Sequence, residues 1–146
     1  MKIKRILMCM MVLAMAMFVL AGCGSSSYKD GTYTGQSTVF EEEGGEGDGY
    51  GVAMVTIKDG QITDCEFLTY EKDGTLKDED YGKQNGEVAN QDYYNKAQKA
   101  LAGASEYPKM LVESQDYHSI DSISGATVSY NQFMEAVDAA LAQAKE

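Results

Sequence analysis

The spacing of hydrophobic and polar positions changes twice along the chain. Ile6 to Leu20 is an uncharged apolar run. Between Tyr50 and Tyr70, "YGVAMVTIKDGQITDCEFLTY" holds two runs rich in Val, Ile, Thr and aromatic residues. They flank Asp59-Gly60, a pair that favours a type I′ turn, so the segment predicts a β-hairpin. Val52 to Ile57 is apolar at both alternating positions, which predicts a central strand covered on each face. "DGTYTGQSTVF" (30–40) adds a further β-rich run.

From Asn90 the period becomes helical. Tyr93, Ala97, Ala100 and Leu101 fall on one face, and Gly103 is expected to end that helix. Pro108 suits the first turn of a second, short helix carrying Met110, Leu111 and Val112. In the last helix Phe133, Ala136, Val137, Ala140, Leu141 and Ala144 form an apolar stripe, with Gln132, Glu135, Asp138 and Gln143 facing elsewhere. Ser129 and Gln132 are spaced as a capping box. Strands followed by helices give an α+β class: a small antiparallel sheet with a central hairpin, packed against C-terminal helices.

Two polar segments interrupt this pattern. "EEEGGEGDG" (41–49) reads as a mobile, solvated loop, since nothing in it favours burial. Its carboxylates do not have the spacing of an EF-hand calcium loop. "EKDGTLKDEDYGKQNGE" (71–87) reads as a long surface loop, and such loops in compact domains are often functional.

The chain has 146 residues, enough for one domain with a modest core. Residues 1–22 have the layout of a secretory signal: Lys2, Lys4 and Arg5, then an apolar run short for a membrane span. Its ending "LAGC" resembles the bacterial lipobox. That resemblance makes Cys23 the lipidated first residue of the mature protein, held at a cell membrane on the extracytoplasmic face. Residues 23–29 are then the lipidated cysteine and a tether, and 30–146 the domain. Downstream of Cys23 nine lysines face all 23 acids, a net charge of −14. Such a surface repels nucleic acid and anionic headgroups, so no nucleic-acid partner is expected and lipid contact falls to acyl chains on Cys23. Cys9 leaves with the signal, so Cys65 has no partner for a disulfide, and no cysteine-based metal site is expected. Cys65 reads as a small buried residue.

Chemistry concentrates in "SIDSISGATVSYNQF" (119–133). Ser124, Gly125, Ala126 and Thr127 enter the last helix, where unpaired N–H groups and the helix dipole favour a phosphate. Gly125 has no β-carbon to hold a phosphate away from the backbone. Asp121, Ser124, Gly125, Ala126 and Thr127 together match the motif of the FMN-binding domain family, which this chain resembles over residues 30–144. "DGTYTGQS" and "VTIKDGQITD" resemble that family's first strand and hairpin. The resemblance implies that a flavin transferase takes FAD and joins its FMN portion to Thr127 by a phosphodiester. Many members carry a Glu-Thr-Pro-Gly loop after the hairpin; this chain has "EKDGTLKDEDYGKQ" there instead.

With no tryptophan, tyrosine is the abundant stacking partner for an isoalloxazine. Tyr81 and Tyr130 are the candidates for holding the ring. His118, the one histidine, lies close to Asp121 but cannot make a metal site alone. No residue is assigned a catalytic acid or base role. The sequence therefore reads as a lipid-anchored flavoprotein relaying electrons from a membrane donor, quinone-linked or a reductase complex, to an external or membrane acceptor. Its acidic surface is expected to lower the flavin's potential. The alternatives are a cofactor-free binding lipoprotein in which "SGAT" only caps a helix, and an enzyme reducing one small substrate.

Overall fold

The computed structural model describes residues 28–45 and 47–145. The signal, Cys23 and most of the tether lie outside the described residues. Three strands come first: β1 (Gly31–Gln36), β2 (Tyr50–Lys58) and β3 (Gln61–Tyr70). They are followed by α1 (Gln91–Ala104), α2 (Tyr107–Ser114), a short 3-10 turn (Tyr117–Ser119) and α3 (Thr127–Ala144). The sheet order is β1-β2-β3, with both pairings antiparallel. Asp59 and Gly60 both have positive φ, 53° and 73°, as a type I′ hairpin turn requires.

The core lies between this sheet and α3. Ala53, Val55, Ile57, Ile62, Cys65 and Phe67 project from one sheet face onto the whole expected stripe of α3. Phe133 meets Phe67 edge-on at 5.1 Å and stacks on Tyr107 at 5.5 Å, linking sheet, α3 and α2 in one aromatic cluster. The Cys65 thiol is buried, and burial pushes its pKa up to about 12.

β2 is central, as its composition predicts, but it is covered on one face only. Met54 and Leu68 remain exposed on the other face, and Val52 and Thr56 are only half-buried. The described helices all lie on the inner side, so the second apolar face of β2 meets solvent and strand neighbours rather than a helix. Tyr50 and Tyr70, directly opposite in the register, stack at 5.4 Å.

Local signals explain most element ends. The Asn90 side chain accepts the Tyr93 N–H at 3.0 Å and caps α1. Pro108 occupies the first turn of α2. Gln115, just past α2 at φ 61°, accepts the Ile62 N–H at 2.9 Å and donates to the Ile62 carbonyl at 2.8 Å. Its amide thus stands in for a strand on the open edge of β3. Across the sheet, before β1, Lys29 N–H donates to Ala144 O at 2.8 Å and Tyr28 pairs with Lys145. The start of the described chain is therefore fixed to the C-terminal end of α3.

Three local expectations are corrected. Gly103 does not end α1, which runs to Ala104; its role is spatial, as described below. Gln132 does not face solvent: it is buried and donates to Gly49 O at 3.0 Å. The 41–49 loop is more than a solvated excursion. Phe40 and Gly49 exchange backbone hydrogen bonds at 2.7 and 2.9 Å, Gly49 is buried, and Asp48 pairs with Lys72 at 2.8 Å.

Candidate functional site

The connection into α3 is held from beneath. Tyr107, fully buried, donates its phenol to Ala126 O at 3.1 Å and accepts the Ile123 N–H at 3.0 Å. Ala126 N–H also returns to Ile123 O at 2.9 Å. Ala126 is buried against α1, and a methyl at Gly103 would come within 2.5 Å of the Ala126 side chain. Gly103 is therefore where α1 makes room for the motif. Gly125 sits at φ 87°, with the stem of Lys99 lying over it.

This arrangement leaves the helix start without a side-chain cap among the described residues. Ala126 occupies the N-cap position, and α3 bonding begins with Tyr130 N–H to Ala126 O at 2.8 Å. The expected Ser129–Gln132 capping box does not form, because Ser129 already lies inside the helix and is buried. Thr127 is the first helical residue and is exposed. The N–H groups of Thr127, Val128 and Ser129 are thus the first-turn donors that no helical carbonyl can satisfy, and the helix dipole adds positive potential there.

These residues form one lip of a cavity of about 310 Å³, at the lower end of the ~300–1,000 Å³ range of small-molecule sites. Gly125, Ala126, Thr127 and Val128 line this lip, and Tyr93, Ala97, Ala100 and Leu101 of α1 make an apolar wall. The 71–87 loop adds Lys77 and Tyr81 to the lining. That loop is fastened to α1: Gln98 donates to Asp78 O and Tyr81 O at 3.1 and 3.0 Å, and Tyr94 donates to Glu79 O at 3.1 Å. Tyr81 meets Tyr93 edge-on at 6.5 Å, and burial, then its bond with Tyr93, raises its phenol pKa. The same two rings also line a second, neighbouring cavity, so they form a partition between the two.

Of the residues singled out in the sequence, Thr127, Gly125, Ala126 and Tyr81 come together around this cavity. Asp121 and Ser124 are exposed on the connection and are not among its lining. Tyr130 turns away: its ring packs 5.7 Å from Tyr107 and its hydroxyl donates to Ile120 O at 2.9 Å. His118 is exposed, with its ring 4.0 Å from that of Tyr117. Among the described residues no group of His, Cys, Asp and Glu is arranged to hold a metal ion.

The cations of the cavity carry no local signal in the sequence. Lys77 and Lys96 line the cavity with Glu42 as the one carboxylate, so the site is locally cationic inside a chain of net charge −11. Lys77 is only 9% exposed. Nothing local distinguishes it from Lys72 or Lys83 in the same loop. The helical spacing of Tyr93, Ala97, Ala100 and Leu101 was visible, but not that this stripe would face a cavity.

A flat, largely apolar ring with an acceptor-rich edge, joined to a phosphate, matches this wall, these cations and the open donors of α3. FMN has that chemistry, and the residues present fit it. The fold resembles a crystal structure of a protein from Clostridium perfringens, with a TM-score of 0.58 and 25% identity over 80% of this chain and 88% of that one. A solution structure of a Clostridium thermocellum protein aligns at TM-score 0.45 and 25% identity, over 81% of this chain and 93% of that one. No curated protein matches the chain. The model of the FMN-binding domain matches residues 48–142, spanning β2 to nearly the end of α3 and all of the cavity lining except Glu42 and Gly47, and the chain belongs to that family of flavin-binding proteins.

Proposed function

We propose that this protein carries FMN covalently on Thr127 and relays electrons at the outer face of a cell membrane, where Cys23 anchors it through lipid. The observation that carries the reading is the position of Thr127: an exposed hydroxyl on the first turn of an uncapped helix, at the lip of the cavity. A helix cap made by the "SGAT" hydroxyls would have occupied those donors; here Ala126 stands at the cap position instead.

Maturation by a flavin transferase would form a bond between Thr127 Oγ1 and the FMN phosphorus of FAD. The phosphoanhydride breaks, AMP leaves, and the hydroxyl proton is released. Around the product, the N–H groups of Thr127, Val128 and Ser129 are placed to donate to phosphate oxygens. Gly125, having no β-carbon, lets the Lys99 side chain lie across the turn, where its ammonium adds positive charge. Ala97, Ala100 and Leu101 exclude water from one face of the cavity. Once bound, FMN supplies the capacity to accept electrons from one carrier and pass them to another. A covalent link keeps the cofactor from being lost to a dilute exterior. The lipobox resemblance at "LAGC" supports the anchor, and a membrane donor, quinone-linked or a reductase complex, supplies the electrons in this reading.

The test is intact mass and peptide mapping of protein produced with a flavin transferase. An FMN-sized addition on the peptide containing Thr127 is expected. Thr127→Ala should abolish it while changing unfolding free energy by less than ~0.5 kcal/mol, as for an exposed side chain. Covalent flavin on another residue, or none in the native protein, overturns the assignment. Cys23→Ala should move the protein from the membrane to the soluble fraction.

A further inference from the structure

We infer that Lys77 is the cationic contact for the pyrimidine edge of the flavin ring, and that it raises the flavin's reduction potential. The inference rests on FMN occupying the cavity beside Thr127, as proposed above. Lys77 is 9% exposed, yet its ammonium has one hydrogen bond among the described residues, to Gly47 O at 3.0 Å. None of those residues forms an ion pair with it; the described lysines that do are Lys72, Lys83 and Lys109. Its Nζ lies 4.7 Å from the centre of the Tyr81 ring, an attractive but partial substitute for water. Burial pulls its pKa below the ordinary lysine value, against the opposing influence of Glu71 and Asp48.

An ammonium has three N–H donors, and a buried charge is costly unless its donors are met. Among the described residues Lys77 therefore has donors left over, on the wall of a cavity. An isoalloxazine has acceptors on one side only: its pyrimidine carbonyls and ring nitrogens. The other side is dimethylbenzene. The cavity offers an apolar patch, Ala97, Ala100 and Leu101 of α1, and two ammonium groups: Lys96, exposed on the same helix, and Lys77, which alone is held in place by burial. The phosphate has its own donors at α3, so Lys77 is not required there. This match orients the ring with its pyrimidine edge toward Lys77.

Uptake of two electrons and one proton leaves the ring with one negative charge, carried mainly by its pyrimidine edge. A fixed ammonium there favours the reduced form in a site shielded from water. Lys77 thus opposes locally the negative potential of the acidic surface.

The experiment uses full-length protein flavinylated by the transferase and reduced at an electrode. Lys77→Met keeps the stem and removes the charge. It should lower the midpoint potential by at least ~30 mV, a tenfold change for a two-electron couple, while Lys77→Arg should restore most of that shift. An unchanged potential in correctly flavinylated Lys77→Met overturns the inference. Should that variant fail to fold, the wild-type C2=O stretching frequency decides. A value below that of free FMN supports the contact, and an equal value overturns it. Wild-type protein without the FMN mass at Thr127 shows that the covalent reading has failed, and the Lys77 inference falls with it. FMN mass present with no shift defeats the Lys77 inference alone.

Discussion

Tyr107 and Ala126 are joined by a fully buried hydrogen bond, phenol to carbonyl at 3.1 Å, and the same phenol accepts the Ile123 N–H. One hydroxyl on α2 therefore holds both sides of the turn that presents Thr127. Tyr107→Phe keeps the ring stacked on Phe133 but strands a buried N–H and a carbonyl. The expected cost is about 1–3 kcal/mol, read as a lower urea midpoint at unchanged slope. Flavin loading should fall as well, because the turn loses its brace.

Gly103 gives a steric counterpart. A methyl there meets Ala126 at 2.5 Å and Ile123 at 3.4 Å. Alanine should gain up to ~1 kcal/mol of helix propensity but lose about 1–3 kcal/mol to overpacking. Gly103→Ala is therefore expected to be destabilising, despite substituting the best helix former. Combining it with Ala126→Gly should recover part of the loss, a coupling that a double-mutant cycle would measure.

The 41–49 loop should be acid-sensitive. The Asp48 carboxylate is held below its usual range first by the hydrogen bond from Lys72, then by that from the Glu42 N–H. Because its folded pKa is lowered, its contribution is fully present above the unfolded value. It is lost as pH falls through the folded one. Hydrogen exchange at the Glu42 amide should thus be protected at neutral pH and lose protection below about pH 4. Equal protection on both sides of that range would contradict the geometry.

Cys65 should be chemically silent. With its thiol pushed up to about 12, only about one molecule in 10⁴ is thiolate at pH 8. Peptide-mapped alkylation should leave it unmodified in the folded protein and label it rapidly in urea. Rapid labelling under native conditions would mean that the core opens around β3.

The architecture was readable because its signals are local. Asp59-Gly60 set the hairpin, Pro108 set the start of α2, and the six-residue stripe from Phe133 to Ala144 set the face of α3. What escaped depends on contacts distant in sequence. Ser129 and Gln132 have the spacing of a capping box, but the helix begins earlier because Tyr107 and Gly103 fix Ala126 at the cap position. Gln132 is drawn inward by the carbonyl of Gly49, 83 positions away. The apolar outer face of β2 looked covered because composition reports what a strand tolerates, not whether a layer lies over it. In the site, the motif around Thr127 was visible as a contiguous string. Lys77 was not, since burial of one lysine among several in a polar loop arises only when that loop folds against α1.

α3 also acts as a spacer. Its 18 residues rise about 1.5 Å each, so its ends stand about 25 Å apart. Tyr28 and Lys29 are fastened at one end and Thr127 opens the other. If Cys23, five positions ahead of Tyr28, carries acyl chains and Thr127 the flavin, as proposed, the flavin end of an upright molecule would point outward from the bilayer, a helix-length beyond the tether's entry. Carriers confined to the hydrocarbon would lie out of its reach, and its exchange partners would need to rise from the membrane or arrive from outside.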